Sequence, residues 1–217
     1  MSDIFNEVDE EVRRERLKKL WERYGIVFIA AAVLFVLGVA GWRGYDWWIT
    51  QKSAEAGAAF ESATTLAEQG KTDEALAAFG RVAKEGTAGY ATLARLREAG
   101  ELAKSDPKAA VAAYDGLAAD SRLGRLMQDL AAIRAAFLLA DSASPDEMRR
   151  RLEPLAAPDG VFRHSARELL ALSAWRANDP TGLKRWSDAI ASDAETPAAI
   201  RSRVEVLNNL VAADAKS

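Results

Sequence analysis

Hydrophobic and polar positions follow three different rhythms along the chain. Over the first 23 residues Phe5, Val8, Val12, Leu20 and Trp21 recur at helical spacing, with Glu10, Glu11, Arg13, Arg14, Lys18 and Lys19 between them. From Tyr24 to Trp42 the polar positions vanish, and the run YGIVFIAAAVLFVLGVAGW carries no charge. Beyond Ser53 apolar residues return every three or four positions, in runs of roughly 12 to 18 residues punctuated by Gly, Pro and Asp-Pro. No segment shows the strict alternation of a half-buried strand. The pattern predicts an all-α chain in three parts: an amphipathic lead over 1–23, an apolar helix with its flanks over 24–48, and a helical domain over 53–217.

The apolar run has the length of a membrane span. Nineteen helical residues reach about 28 Å at roughly 1.5 Å each, close to the hydrocarbon thickness of a bilayer. Trp21 and Tyr24 stand at one end, and Trp42, Tyr45, Trp47 and Trp48 at the other, where membrane–water interfaces favour aromatic rings. Arg13, Arg14, Arg16, Lys18, Lys19 and Arg23 precede the run, whereas only Arg43 and Lys52 follow it closely. This asymmetry predicts a cytoplasmic N-terminus and a domain on the far side of the membrane. A cleaved leader would have a shorter basic lead and a small-residue exit site, so an uncleaved anchor is the expectation.

The domain after the span repeats itself. Gly70-Lys-Thr-Asp-Glu-Ala75-Leu-Ala-Ala-Phe79 places a small residue five positions after a turn and an aromatic four beyond it. The same offsets recur in Ser105 to Tyr114, with Ala110 as the small residue, and in Ala177 to Trp186, with Gly182. A degenerate copy around Ser142 to Leu152 offers Met148 and Leu152. The large position thus falls at Phe79, Tyr114, Leu152 and Trp186, at intervals of 35, 38 and 34. A tetratricopeptide-like α-solenoid of about four helix pairs is expected, since that repeat has a period of about 34. The small residue lets paired helices approach, and the large one fills the groove to the next helix. First helices are expected over Ala54–Gln69, Tyr90–Lys104, Leu126–Asp141 and His164–Ala177. The third of these shows a broad apolar face at Leu126, Leu130, Ile133, Phe137 and Leu138. A covering helix over Ala198–Ala212 is expected to present Ile200, Val204, Leu207, Leu210 and Val211. Asp106-Pro107 and Asp179-Pro180 suit helix starts, with Asp as cap and Pro in the first turn.

Composition narrows the chemistry. Of 217 residues 45 are alanine, the best helix former, and none is cysteine. No disulfide, thiolate metal site or cysteine nucleophile is therefore available. The 29 basic and 32 acidic residues give a net charge of -3 and no nucleic-acid footprint. No glycine-rich phosphate loop is present, and neither a cofactor, a metal nor a small-molecule substrate is expected. The one histidine, His164, stands beside Ser165, but nothing fixes a catalytic geometry around it. A cap or an inter-helix hydrogen bond is the expected role, and the chain is read as not an enzyme.

The basic-acidic lead, one span ending in Gly41-Trp42-Arg43-Gly44-Tyr45 and a tetratricopeptide-like array together resemble the ancillary SecYEG translocon subunit family. The stretches that carry this resemblance are Met1–Phe5, Glu7–Arg16, Arg95–Asp120, Arg150–Leu170 and Glu195–Ala198. The resemblance implies a single-pass inner-membrane protein whose periplasmic domain binds translocon subunits, periplasmic chaperones or emerging secreted chains. The same grouping includes a coordinator of cell division and envelope synthesis, which makes a structural scaffold the alternative.

A protein-binding groove would draw on the first helices of the array and on cationic side chains near them. Arg95, Arg134, Arg149, Arg150, Arg163 and Arg167 are the candidate partner contacts, because guanidinium groups clamp carboxylates and phosphates bidentately.

Overall fold

In a computed structural model the backbone is described over residues 3–214, and side chains at Lys18 and over 21–211. Of the amphipathic lead, Phe5, Val8, Val12 and Leu20 lie outside the side chains so described. Among the described residues there are nine α-helices and two short 3-10 turns, with no strand. Two compact units divide the chain, Met1–Ala54 and Glu55–Ser217.

The first unit is formed by the leading part of α1 (Asp3–Glu68). Its apolar run is bare: Ile26, Leu34 and Phe35 are 85%, 69% and 73% exposed. In water such exposure would be costly at about 25 cal/mol per Å² of apolar area, so this stretch needs an apolar surrounding. It is long and apolar enough to cross a membrane.

The second unit runs from the end of α1 through α2 (Thr72–Glu85), α3 (Ala88–Leu102), α4 (Pro107–Ala118) and α5 (Gly124–Leu139). It continues with α6 (Pro145–Leu152), α7 (Arg163–Arg176), α8 (Pro180–Ser192) and α9 (Ala198–Asp214). The turns between paired helices follow from local chemistry. Gly70 has φ +75, and Lys71 and Gly70 donate their N–H groups to the Leu66 and Ala67 carbonyls, which ends α1. Asn178, at φ 52, does the same for α7, with Asp179 and Asn178 bonded back to Ala174 and Trp175. Asp106, Ser144 and Asp179 then cap α4, α6 and α8 by accepting the N–H groups of Ala109, Glu147 and Gly182 at 2.9, 3.2 and 2.9 Å. In each case Pro occupies the first helical position, where its missing N–H costs nothing.

Each second helix inserts a large side chain between its own first helix and the next. Phe79 of α2 joins Ala63 of α1 and Ala94 of α3 in one buried cluster. Tyr114 of α4 joins Ala99 of α3 with Ala131 and Ala135 of α5. Leu152 and Trp186, from α6 and α8, enter a larger cluster with Leu170 of α7 and Ile200 and Val204 of α9. Ala75 and Ala110 are fully buried one turn before Phe79 and Tyr114.

Three sequence expectations change. Gly182 is only partly buried, and Leu183 takes the buried place four residues after the cap, because the cap of α8 comes one residue later in the motif than those of α2 and α4. Gly182 instead admits α7 closely: a Cβ there would meet the Ala174 Cβ at 3.2 Å and clash with the Asp179 carboxylate. On α5 the buried set is Ala131, Ile133, Ala135 and Ala136, whereas Leu126 and Phe137 are about half exposed. Leu210 of α9 also points outward, while Ile200 and Val204 pack inward.

Leu152→Ala is expected to lower stability by about 2–5 kcal/mol, because the fully buried site loses both contacts and volume. Leu126→Ala, on the open face, should change it by less than about 0.5 kcal/mol. Urea denaturation followed by circular dichroism of the solubilised protein measures both.

Candidate interaction face

Three first helices meet different fates. α7 is packed against α9, with Arg203 of α9 donating to Glu168. α3 and α5 each keep an open stripe. On α5 its exposed positions are Leu126, Arg134 and Phe137, on one side of the helix, with Leu130 half-buried against the larger cluster. On α3 the exposed positions at matching intervals are Gly89, Leu93 and Arg97, and Gly100 one turn on faces Tyr114. Leu93 is 43% exposed and Phe137 49% exposed, and Arg97 and Arg134 are exposed as well.

Tyr114 of α4 reaches α3. Its buried hydroxyl donates to the Leu96 carbonyl at 3.4 Å and sits 3.2 Å from where a Cβ on Gly100 would be. Burial pushes the Tyr114 pKa up, while the charges of Arg134 and Arg97 both pull it down. One hydroxyl on α4 is therefore within electrostatic reach of a cation from α5 and a cation from α3. Neither guanidinium has an ion-pair partner among the described residues, and no acidic side chain is exposed on α3 or α5.

The other candidate arginines are placed differently. Arg95 donates to Asp120 at 3.1 Å, and Arg122 adds two bonds at 2.8 Å to the same carboxylate. These bonds hold the Asp120 carboxyl well below the usual carboxylate range. Arg149 is exposed and pairs with Asp146 one turn earlier, and Arg150 is exposed. The third member of that run, Arg151, bridges α6 to α4 through Asp115 at 2.7 and 3.0 Å and also holds Glu147.

Arg163 and Arg167 are corrected as partner contacts. Both turn inward to a network that fixes the α8–α9 connection. Arg167 is buried and donates to the Ala156 carbonyl at 3.1 Å, the Ala189 carbonyl at 3.3 Å and Asp193 at 2.9 Å. Arg163 donates to Asp193 at 2.8 Å and to Glu195. Arg201, which no local sequence pattern marks, reaches the carbonyls of Asp193, Ala194 and Thr196. Asp193 is consequently held far below the ordinary carboxylate range, chiefly by its Arg163 bond.

His164 makes an inter-helix contact in the same network, with Nδ1 3.1 Å from the Thr196 hydroxyl. It lies 3.8 Å from Asp193. Burial first, and then the Arg163 charge, lower its pKa, against the opposing pull of Asp193. Among the described residues no hydrogen bond joins His164 to Ser165. His164, Asp193 and Glu195 also offer ligand atoms within 4.8 Å of one another. The two carboxylates are already shared by Arg163 and Arg167, so a dication there would have to displace charge-assisted bonds. The cluster is a latch between helices rather than a metal nest.

In the first unit Trp21, Tyr24, Trp42, Tyr45, Trp47 and Trp48 are all exposed. Lys52 stands 5.1 Å above the Trp48 ring and Arg23 lies 5.7 Å from the Tyr24 ring, contacts in which a cation meets an aromatic face.

The profile of the tetratricopeptide repeat-like domain family matches residues 18–169, and the chain belongs to that family. The matched region ends within α7, so α8 and α9 lie beyond it. No curated protein and no solved structure gives a significant match. Repeats of this kind build protein-interaction modules, since stacked helix pairs leave one row of helix faces unburied.

Two outcomes are expected from the latch. Arg167→Met should lower the Tm by several degrees, because the buried Ala156 carbonyl alone loses a donor worth about 1–3 kcal/mol. His164, with its folded pKa below the usual value, contributes stability that is fully present above about pH 6.5 and is lost as pH falls from there through the lower folded value. The Tm of the native protein should therefore drop more between pH 7.5 and 5.5 than that of His164→Gln, measured by differential scanning fluorimetry.

Proposed function

We propose that this protein is a membrane-anchored interaction module of the bacterial inner membrane. Residues 1–23 would lie in the cytoplasm, 24–48 would form the anchor, and 53–217 would form a periplasmic repeat domain. Its partners are proposed to be subunits of the SecYEG translocon, periplasmic chaperones or secreted chains as they emerge. The open face of α3 and α5 carries this reading: Leu93, Arg97, Leu126, Arg134 and Phe137 are exposed on adjoining repeats. Leu93, Leu126 and Phe137 have the size and exposure of side chains that a partner covers.

The bare apolar run and its aromatic ends support the anchor, and the Lys and Arg asymmetry supports the orientation. Anchoring raises the effective concentration of the face for any client that appears at the same membrane. The resemblance of the lead, span and repeats to the ancillary translocon subunit family supports the choice of partner. Arg95 and Arg149 are further positions at which a partner carboxylate would compete with Asp120 and Asp146 for a guanidinium, and Arg150 is exposed without an ion pair among the described residues.

Photo-crosslinking residues at Leu93 and Phe137, in cells, should capture translocon subunits or secreted chains, whereas the same residue at Glu74 on α2 should not. Capture of division or envelope-synthesis proteins alone would replace the translocon reading by the scaffold reading. Because the chain lacks cysteine, Ala112→Cys gives a single reporter of sidedness. A membrane-impermeant maleimide should label it in intact spheroplasts; labelling only after lysis would overturn the orientation.

A further inference from the structure

Several arginines of the second unit are consumed within the fold: Arg95 by Asp120, Arg151 by Asp115 and Glu147, Arg163 and Arg167 by Asp193, and Arg203 by Glu168. Arg81 of α2 and Arg150 of α6, by contrast, are exposed without an ion pair among the described residues. Arg97 and Arg134 have no such partner among the described residues, although they occupy equivalent places on successive first helices. Each is followed three residues later along its stripe by Gly100 or Phe137, and preceded four residues earlier by Leu93 or Leu130. The result is an apolar-and-cationic surface on which the carboxylates of α3 and α5 themselves are half-buried or buried.

We propose that this face takes a protein segment in which leucine- or phenylalanine-type side chains are flanked by aspartate or glutamate, with Arg97 and Arg134 each engaging a carboxylate. The inference rests on the reading of α3 and α5 as the interaction face and names the chemical class of its partner.

Three observations carry it. First, guanidinium–carboxylate contacts are directional and charge-assisted, so two unpaired guanidiniums on one face select acidic groups over basic ones by repulsion as well as attraction. Second, the Tyr114 hydroxyl is satisfied by the Leu96 carbonyl, so the fold does not use it to neutralise either cation. Third, the exposed Leu93, Leu126 and Phe137 supply apolar anchors beside the charges, which an inorganic anion or a soluble metabolite would leave in water. Leucine and arginine recur four residues apart on both α3 and α5, so the stripe is a repeated feature and not an accident of one helix.

The test uses the full chain in nanodiscs of phosphatidylcholine, a zwitterionic lipid. A randomised peptide library of about sixteen residues, long enough for a helical or extended segment to cross both stripes, is displayed on phage and selected against it. Enriched peptides are expected to combine Leu or Phe with Asp or Glu, to bind more weakly as salt rises, and to lose at least about tenfold in affinity on Arg97→Glu/Arg134→Glu. The same double variant, selected afresh, should enrich Lys and Arg in place of the acids. Both arginines are exposed, and an unchanged thermal melt establishes that the variant is folded. Leu93→Ala/Phe137→Ala should weaken acidic peptides without changing their charge preference.

Enrichment of neutral or basic peptides by the native protein would overturn the proposal, as would acidic peptides that bind the charge-reversed variant equally well. If crosslinks at Leu93 and Phe137 still capture a translocon partner in that event, the interaction face stands and only its acidic specificity fails. If those crosslinks also capture nothing, the face itself is wrong.

Discussion

A helix with one apolar stripe cannot bury it alone, and the second unit meets this constraint with one recurring device. A bulky side chain from each second helix enters the core beside its neighbours, and in the first two pairs the facing positions on the first helices are alanine. Phe79 against Ala63 and Ala94, and Tyr114 against Ala99, Ala131 and Ala135, are two statements of that device. The alanines do more than favour helix. They bring backbones close enough for one aromatic ring to touch both neighbours, so that each wedge joins two repeats rather than filling one. The turns serve the same end. Schellman closures at Gly70 and Asn178, and Asp- or Ser-Pro starts at α4, α6 and α8, set the point at which each second helix begins and therefore the height at which its wedge arrives.

Much of this is legible in the amino-acid sequence alone. The offsets from a turn to Ala75 and Phe79, and from Asp106-Pro107 to Ala110 and Tyr114, carry the repeat because they encode a local event, a cap followed by one and two helical turns. The register of α8 is harder to read for the same reason. The sequence offers both Gly182 and Leu183 four or so positions after a turn, and only the closeness of Ala174 on α7 separates a contact glycine from a core leucine. Leu126 and Phe137 look like core residues in sequence because helical periodicity reports that a face is apolar, not what lies against it.

The arginines show where one-dimensional reading stops. Arg149, Arg150, Arg163 and Arg167 look alike as members of a basic stretch. What distinguishes Arg167 is a carboxylate that arrives from 26 residues downstream, in the connection after α8. No local pattern announces that Asp193, Thr196 and Arg201 will gather around it. By contrast Arg97, which is absent from the sequence candidates, is marked only by a spacing that it shares with Arg134, and that signal gains meaning once α3 and α5 are seen to be first helices of successive repeats joined through α4.

The packing of α9 against α7 has a further consequence for the state of the molecule. A stack of repeats is open at both ends in principle, and an uncovered last first-helix would offer its apolar edge to the first repeat of another copy. Head-to-tail addition of that kind closes into a ring or grows as a fibre, depending on its rotation. Ile200 and Val204 fill that edge from within the same chain, and the Arg203–Glu168 pair keeps them there. α9 is therefore both a piece of the core and the cover of that edge in this chain.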